Sequence, residues 1–334
     1  MSRKFAVEHL QGVLAVTPTP ALPGANDLRT SNTVNIEESE RMIRRLIEDG
    51  VDGILTNGTL GEMATLTLEE WKAFAQVVSE TVHSLKPDLP LFIGATTLNT
   101  RDTVERIDYV QSLGVRGVLL GRPFWCEMGP EAMFGFYQDI AGAFPDMSFI
   151  LYDNPEAFKG FIPTPVYTRL ANIPNIIGAK YMSLGPKYRV DVDAVQGKMR
   201  LMPLDSDWLL AHLLAPENAL ACWSGAVIGG PEPSLYLRDA LRRKDYDAAR
   251  WISSRIAWSF ETYLARQDFR EFSKYNIPIA KERFNESGYI HSGPTRRPYQ
   301  IAPEAYIEGA RESGRRWRQL RQEVIRVSKN AITH

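Results

Sequence analysis

A chain of 334 residues with 39 Lys+Arg, 40 Asp+Glu and a net charge of −1 offers no basic face to nucleic acid, so no nucleic-acid partner is expected. At 44% hydrophobic and 24% charged it has the material for a large core, built as one large α/β domain or two smaller ones. The two cysteines, Cys126 and Cys222, exclude a disulfide framework. No apolar run approaches the ~20 residues of a membrane helix, and the opening residues lack the apolar stretch of a secretory signal, so a cytoplasmic protein with no membrane partner is expected.

Short apolar runs alternate with amphipathic ones. Residues 12–18 read as a first strand, followed by a Pro/Gly/Asn-rich loop to about Asn35 and a helix over 36–49 that Gly50 ends. Strands are expected over 53–58, 91–96 and 117–121, with helices over 68–84, from an N-cap at Asn99, and over 130–143. A fifth strand ends at Tyr152, a short helix covers 164–172, and a sixth strand ends at Lys180. Residues 200–205 and 219–224 give strands seven and eight, with a helix over 207–214 between them. Helical periodicity then runs through 233–244, 247–266, 270–287 and 303–327.

Strands that are apolar along their whole length are buried on both faces, which means a parallel sheet. Eight such units in about 225 residues favour a closed (β/α)8 TIM barrel over an open doubly wound sheet, and the turn after the first strand, Thr17-Pro-Thr-Pro20, carries no G-x-G-x-x-G. The expected division is a barrel over 1–230 with C-terminal helices over 231–334 packed on it.

In a barrel the groups at the strand C-termini converge. That rule collects Thr17, Thr59, Phe124, Trp125, Tyr152, Asn154, Lys180, Asp205, Trp223 and Ser224. The segment 175–181, Asn-Ile-Ile-Gly-Ala-Lys-Tyr, delivers one lysine at the end of an apolar strand. An amine pushed out of an apolar wall is poorly solvated, its charged form is disfavoured, and the neutral form condenses with ketones. The alternative reading of a lysine there is a solvated strand terminus. In Asn57-Gly-Thr59-Leu60-Gly-Glu62, two glycines and a hydroxyl could hold a carboxylate, or make an ordinary strand-to-helix turn. Trp125 and Trp223 are each read as ending a strand, either as core plugs or as walls for a flat substrate. The five histidines are scattered without metal-ligand spacing and no G-x-S-x-G elbow occurs, so neither a metal site nor a serine hydrolase is expected, and no cofactor is called for.

The Gly-Thr-x-Gly-Glu turn, the Tyr-x-x-Pro at strand five and the Gly-x-Lys at strand six resemble the dihydrodipicolinate synthase and N-acetylneuraminate lyase superfamily of class I aldolases, with Tyr152 and Lys180 spaced 28 residues apart as that pattern expects. Departures narrow the resemblance. Pro123-Phe124-Trp125 stands where the synthases carry a Tyr-Tyr pair, Leu60 replaces a second hydroxyl residue, and Trp223-Ser224-Gly225 replaces a small Gly-rich segment. The runs 152–158, 179–181, 271–277 and 292–298 are instead similar to the hydratase-aldolases that cleave benzylidenepyruvates in naphthalene and phenanthrene breakdown.

The resemblance implies Lys180 as the Schiff-base lysine and Tyr152 as proton shuttle. It implies Thr59, with Leu60, as carboxylate holder, and Asn154, Trp125, Trp223, Ser224, Gly225 and Asn276 near a small aromatic keto acid. It also implies a homotetramer. Arg122, Arg296 and Arg297 are candidates to meet a ring carboxylate, against the alternative of surface salt bridging.

Overall fold

Eight short strands are buried along their whole lengths: β1 Gly12–Val16, β2 Gly53–Leu55, β3 Leu91–Gly94, β4 Gly117–Leu120, β5 Ser148–Tyr152, β6 Ile176–Lys180, β7 Arg200–Met202 and β8 Ala221–Ser224. They form one sheet of order β7-β6-β5-β4-β3-β2-β1-β8, in which each successive pair from β2 through β7 is parallel. A parallel bridge from Leu204 to Trp223 joins the two ends of that order. With a helix after each strand this is the expected (β/α)8 barrel. The computed structural model describes residues 4–182, 184–263 and 268–332, without the side chains of 330–332.

Seven helices alternate with the strands: α1 Ile36–Glu48, α2 Leu68–Leu85, α3 Thr100–Ser112, α4 Pro130–Ala143, α5 Thr164–Leu170, α6 Pro186–Val195 and α7 Trp208–Leu214. The C-terminal helices are α8 Glu232–Arg242, α9 Tyr246–Phe260, α10 Phe269–Ser273, α11 Asn276–Ser287 and α12 Glu304–Ile332. The expected N-cap at Asn99 is present, its side chain accepting from the Asp102 N–H at 2.9 Å. Helix α2 begins with a full capping box between Thr67 and Glu70.

Packing divides the chain into two compact units that cut across chain order. One holds the chain up to Leu14, Asp52–Gly58 and Pro87–Trp223; the other holds Ala15–Val51, Thr59–Lys86 and the chain from Ser224 onward. The first contains β3 to β7 with α3 to α7, and its core is the strand interior, including Phe92, Val118, Phe149 and Leu201. The second contains α1, α2 and the C-terminal helices. There α1 buries Met42, Ile43 and Leu46, and α2 buries Trp71, Phe74 and Val78. Each such aliphatic or aromatic side chain contributes roughly 1.5–3 kcal/mol.

Three expectations need correction. Helix α6 lies where no helix was read, because Val190-Asp191-Val192-Asp193 alternates like a strand. The continuous helix expected over 270–287 is broken between α10 and α11, where Tyr275 has a non-helical φ of −127°. Trp125 does not end a strand: β4 stops at Leu120, and Pro123, which has no N–H to give a ladder, stands between them. Of the helix expected over 247–266, α9 covers the part to Phe260, and residues 264–267 lie outside the described set, as does His334.

Candidate active site

Strands β5 and β6 pair in parallel with Tyr152 directly opposite Lys180. Both side chains are the last of their strands, so the register alone brings a phenol and an amine side by side. The register shifts between Phe149, opposite Ile176, and Ile150, opposite Gly178, and from there runs evenly to the Tyr152–Lys180 pair. A Cβ on Gly178 would sit 2.6 Å from Leu10 Cδ1 and 3.1 Å from the Arg200 carbonyl oxygen, so a larger residue would have to displace Leu10 and crowd β7.

Lys180 is 5% exposed. Its Nζ lies 3.3 Å from the centroid of a Trp223 ring, 4.7 Å from that of Tyr152, and 3.7 Å from Met182 Sδ. Among the described residues it forms no ion pair. Burial therefore lowers the amine to about 7, and the charge of Asp153 pulls weakly the other way. At neutral pH and above a large share of this amine is uncharged, as a nucleophile must be.

The groups around it are held in place. The Tyr152 hydroxyl accepts from Asn154 Nδ2 at 3.1 Å, and Asn154 Oδ1 in turn accepts from the Ala157 N–H at 3.2 Å. Phe158 packs edge-on to Tyr152 at 5.3 Å, and the backbone of Gly58 lies over the same ring, where a Cβ would stand 3.4 Å from Cε1. Trp223 is buried, and its Nε1 donates to the Tyr181 carbonyl at 2.9 Å. Tyr181 donates its own hydroxyl to Asp191 at 2.8 Å. Asp153 is buried and accepts from the Ile162 N–H at 3.2 Å and from the Tyr167 hydroxyl at 3.0 Å, with Arg122 3.6 Å away. Burial raises the Asp153 carboxyl, against the pull of Arg122.

Lys180, Tyr152, Asn154 and Trp223 are thus brought together within the first unit. Trp125 is not in that environment. It is 78% exposed, on an open groove of about 500 Å³ lined also by Leu98, Pro123, Cys126, Met128 and Phe136, and its carbonyl accepts from Lys159. Phe124 packs on Phe158 at 6.4 Å.

In the second unit, Thr59 and Leu60 are half-buried in the turn after β2, and the Thr59 carbonyl accepts from the Glu62 N–H at 3.0 Å. Leu60 lies against Gly225, where a Cβ would stand 2.8 Å from Leu60 Cδ1. Ser224 is buried and its Oγ accepts from the Val227 N–H at 3.3 Å. Asn276 opens α11 and is half-buried. Thr17 is fully buried; Asp205, which belongs to the first unit, is also buried and accepts from the Ser206 N–H at 2.9 Å.

The arginines are not surface groups as a set. Arg122 is 1% exposed and donates to the carbonyls of Phe158 and Gly160. Arg296 is 3% exposed and donates to Glu62, to Thr33 Oγ1 at 2.7 Å and to the Thr19 carbonyl at 3.1 Å. Both hold loops, and Arg122 keeps its buried Nε and Nη1 without a hydrogen-bond partner among the described residues, Nη1 lying 3.6 Å from Asp153. Arg297 is exposed and donates to the Asn26 carbonyl at 2.7 Å.

Sequence reasoning gives Asp153, Phe158 and Tyr181 no role of their own within the runs 152–158 and 179–181, and it does not touch Asp191. The signal was available for Tyr181: it follows Lys180, so strand alternation turns it to the opposite face, away from the amine and toward a helix. Asp153 sits inside the Tyr-Asp-Asn-Pro run, but nothing in the run names its partners 31 residues before and 14 after it.

A family model described as the dihydrodipicolinate synthetase family matches residues 25–192. The trans-2'-carboxybenzalpyruvate hydratase-aldolase of Nocardioides sp. (strain KP7) is 39% identical over 319 residues, 95% of each chain. The trans-O-hydroxybenzylidenepyruvate hydratase-aldolase of Pseudomonas putida is 37% identical over 322 residues, 95% of this chain and 96% of that one. A solved structure of PhdJ bound to substrate intermediate superposes with a TM-score of 0.93 at 39% identity, covering 96% of this chain and 99% of that one.

Proposed function

The chain belongs to the dihydrodipicolinate synthetase family, and from that premise we propose that it is a Schiff-base hydratase-aldolase. Its substrate is a 4-aryl-2-oxobut-3-enoate, taken with water to an aromatic aldehyde and pyruvate. The observation that carries the reading is one buried amine, lowered to about 7 by burial and facing a strand-end phenol across a parallel register.

Neutral Lys180 attacks the C2 ketone; with one proton taken up, water leaves and an iminium remains. The iminium withdraws electrons through the conjugated double bond and makes C4 electrophilic. Water adds at C4, and the proton it sheds and the proton gained at C3 balance. Tyr152, held by Asn154, then relays a proton, its phenolic oxygen receiving the C4 hydroxyl proton and giving up its own toward C3 as the C3–C4 bond breaks. The bonding pair passes into the enamine, which is protonated at C3, and a second water hydrolyses the imine. One water is released and two are consumed, which gives the overall uptake of one.

Thr59 with Leu60 is assigned to the carboxylate, and Ser224, Gly225 and Asn276 to further substrate contacts. The buried Trp223 face suits a ring-bearing substrate better than a sugar chain, whose hydroxyls would go unpaired there. The ring bears an ortho-carboxylate, giving 2-carboxybenzaldehyde. An ortho-hydroxyl, giving salicylaldehyde, is the second reading, supported by a relative nearly as similar as the first (37% against 39%). A place in naphthalene or phenanthrene catabolism, a cytoplasmic location and a homotetramer go with the assignment; sedimentation tests the last.

The test is product analysis with both arylidene pyruvates. Equimolar pyruvate and aromatic aldehyde are expected from the purified chain and none from Lys180→Ala. Turnover of a sugar acid with neither arylidene substrate accepted would overturn the assignment.

A further inference from the structure

We propose that the indole of Trp223 is the electrostatic partner of the cationic Schiff base, serving in place of a carboxylate counter-ion. The inference rests on the hydratase-aldolase reading and adds to it a role for one more side chain. Condensation at Lys180 passes through a positively charged, N-protonated imine in a buried site. Among the described residues Lys180 has no ion pair, and the Asp153 carboxylate that influences it is engaged with Ile162, Tyr167 and Arg122. The nearest aromatic surface is the Trp223 ring, whose centroid is 3.3 Å from Nζ, well inside the ~6 Å over which a ring quadrupole attracts a cation. Tyr152, at 4.7 Å, is second.

The indole is fixed in that pose. Its backbone N–H donates to the Pro203 carbonyl at 2.9 Å and its Nε1 to the Tyr181 carbonyl at 2.9 Å; Tyr181 is tied to Asp191 at 2.8 Å, and Asp191 also pairs with Lys187. Such a rigid dipolar surface needs no reorganisation when the charge appears.

The attraction is also selective for the right species. Because burial lowers the amine to about 7, at pH 8.5 the resting side chain is mostly neutral and gains little from the ring. The iminium form of the adduct, the one that withdraws electrons from the substrate, carries the charge and gains the full interaction. The ring therefore favours the condensed state over the free amine, and that difference drives the equilibrium. A carboxylate at the same distance would also raise the resting amine strongly and lock it in the unreactive charged form.

The experiment replaces Trp223 alone by mono-, di- and trifluorotryptophan and measures the fraction of Lys180 trapped by borohydride against pyruvate concentration at pH 8.5. Fluorine withdraws density from the ring face but preserves its shape and leaves Nε1–H a donor. The half-saturating pyruvate concentration is expected to rise about two- to threefold per fluorine, and about tenfold or more across the series, on the ordinary strength of a desolvated cation–π contact. Trp223→Phe, with a weaker quadrupole, should fall on the same trend. A flat response, with trapping intact in the wild type, would overturn the role of Trp223 and leave the Schiff-base reading standing. Absence of any adduct on wild-type Lys180 would overturn both.

Discussion

Lys180 and Lys281 are buried to nearly the same extent, 5% and 3% exposed, and do opposite things. Lys281, on α11, meets Glu62 at 2.6 Å and donates to the Pro294 carbonyl at 2.8 Å, and Arg296 reaches the same carboxylate. Burial lowers it to about 8, with Glu62 opposing the fall. It is held as an ion, and the ion ties the 59–62 turn to the segment 292–298. Lys180 is given rings and a thioether in place of a carboxylate, so burial is met by losing the proton. What surrounds a buried amine, more than how deeply it lies, decides whether it is structural or chemical.

The comparison breaks most plainly at the amines themselves. Lys180→Ala should abolish the aldol activity, by at least about 10³-fold, and leave the unfolding midpoint in urea near that of the wild type or above it, since a poorly solvated group is removed. Lys281→Met should do the reverse. It leaves Glu62 buried with only Arg296, costs about 3 kcal/mol of stability by urea titration, and spares imine trapping at low temperature. A stable, inactive Lys281→Met would mean that the two amines were assigned the wrong way round.

Tyr152→Phe sharpens the chemical half. Turnover of an arylidene pyruvate should drop about 10²- to 10⁴-fold, while pyruvate still forms a trappable adduct, because the phenol is assigned to proton transfer and not to condensation.

The pH profile comes next. Burial depresses Lys180 to about 7, so the amine is protonated and inert below that pH and free above it. The trapping rate should rise tenfold per pH unit up to about 7 and then level, where an ordinary lysine would keep rising to 10.5. The stability sign agrees: between about 7 and 10.5 the unfolded chain binds the extra proton, so this group's contribution to stability grows with pH across that window and is constant on either side.

The smallest effect is expected for Asn154→Ala. It removes the 3.1 Å hydrogen bond to the Tyr152 hydroxyl but leaves the phenol in place, for a loss of about five- to thirtyfold in kcat with little change in KM.

Much of the chemical half was legible in the sequence, and little of the structural half. Lys180 and Tyr152 each end an apolar run, and the pairing of parallel neighbours follows from the order of the strands, so their encounter could be read before any coordinates. The Glu62–Lys281–Arg296 cluster joins positions more than 200 residues apart on a turn, a helix and a loop, and no periodicity links them. Trp125 and Trp223 looked alike as aromatic residues near strand ends. One is 78% exposed beyond Pro123 and the other is buried with its N–H bonded, a difference set by where strand pairing stops and not by residue type.

The most direct measurement is borohydride reduction with pyruvate followed by peptide mass mapping of both buried lysines in one sample. The account predicts a reduced pyruvyl adduct on the peptide carrying Lys180 and none on the peptide carrying Lys281. An adduct on Lys281, or none on Lys180, would contradict it.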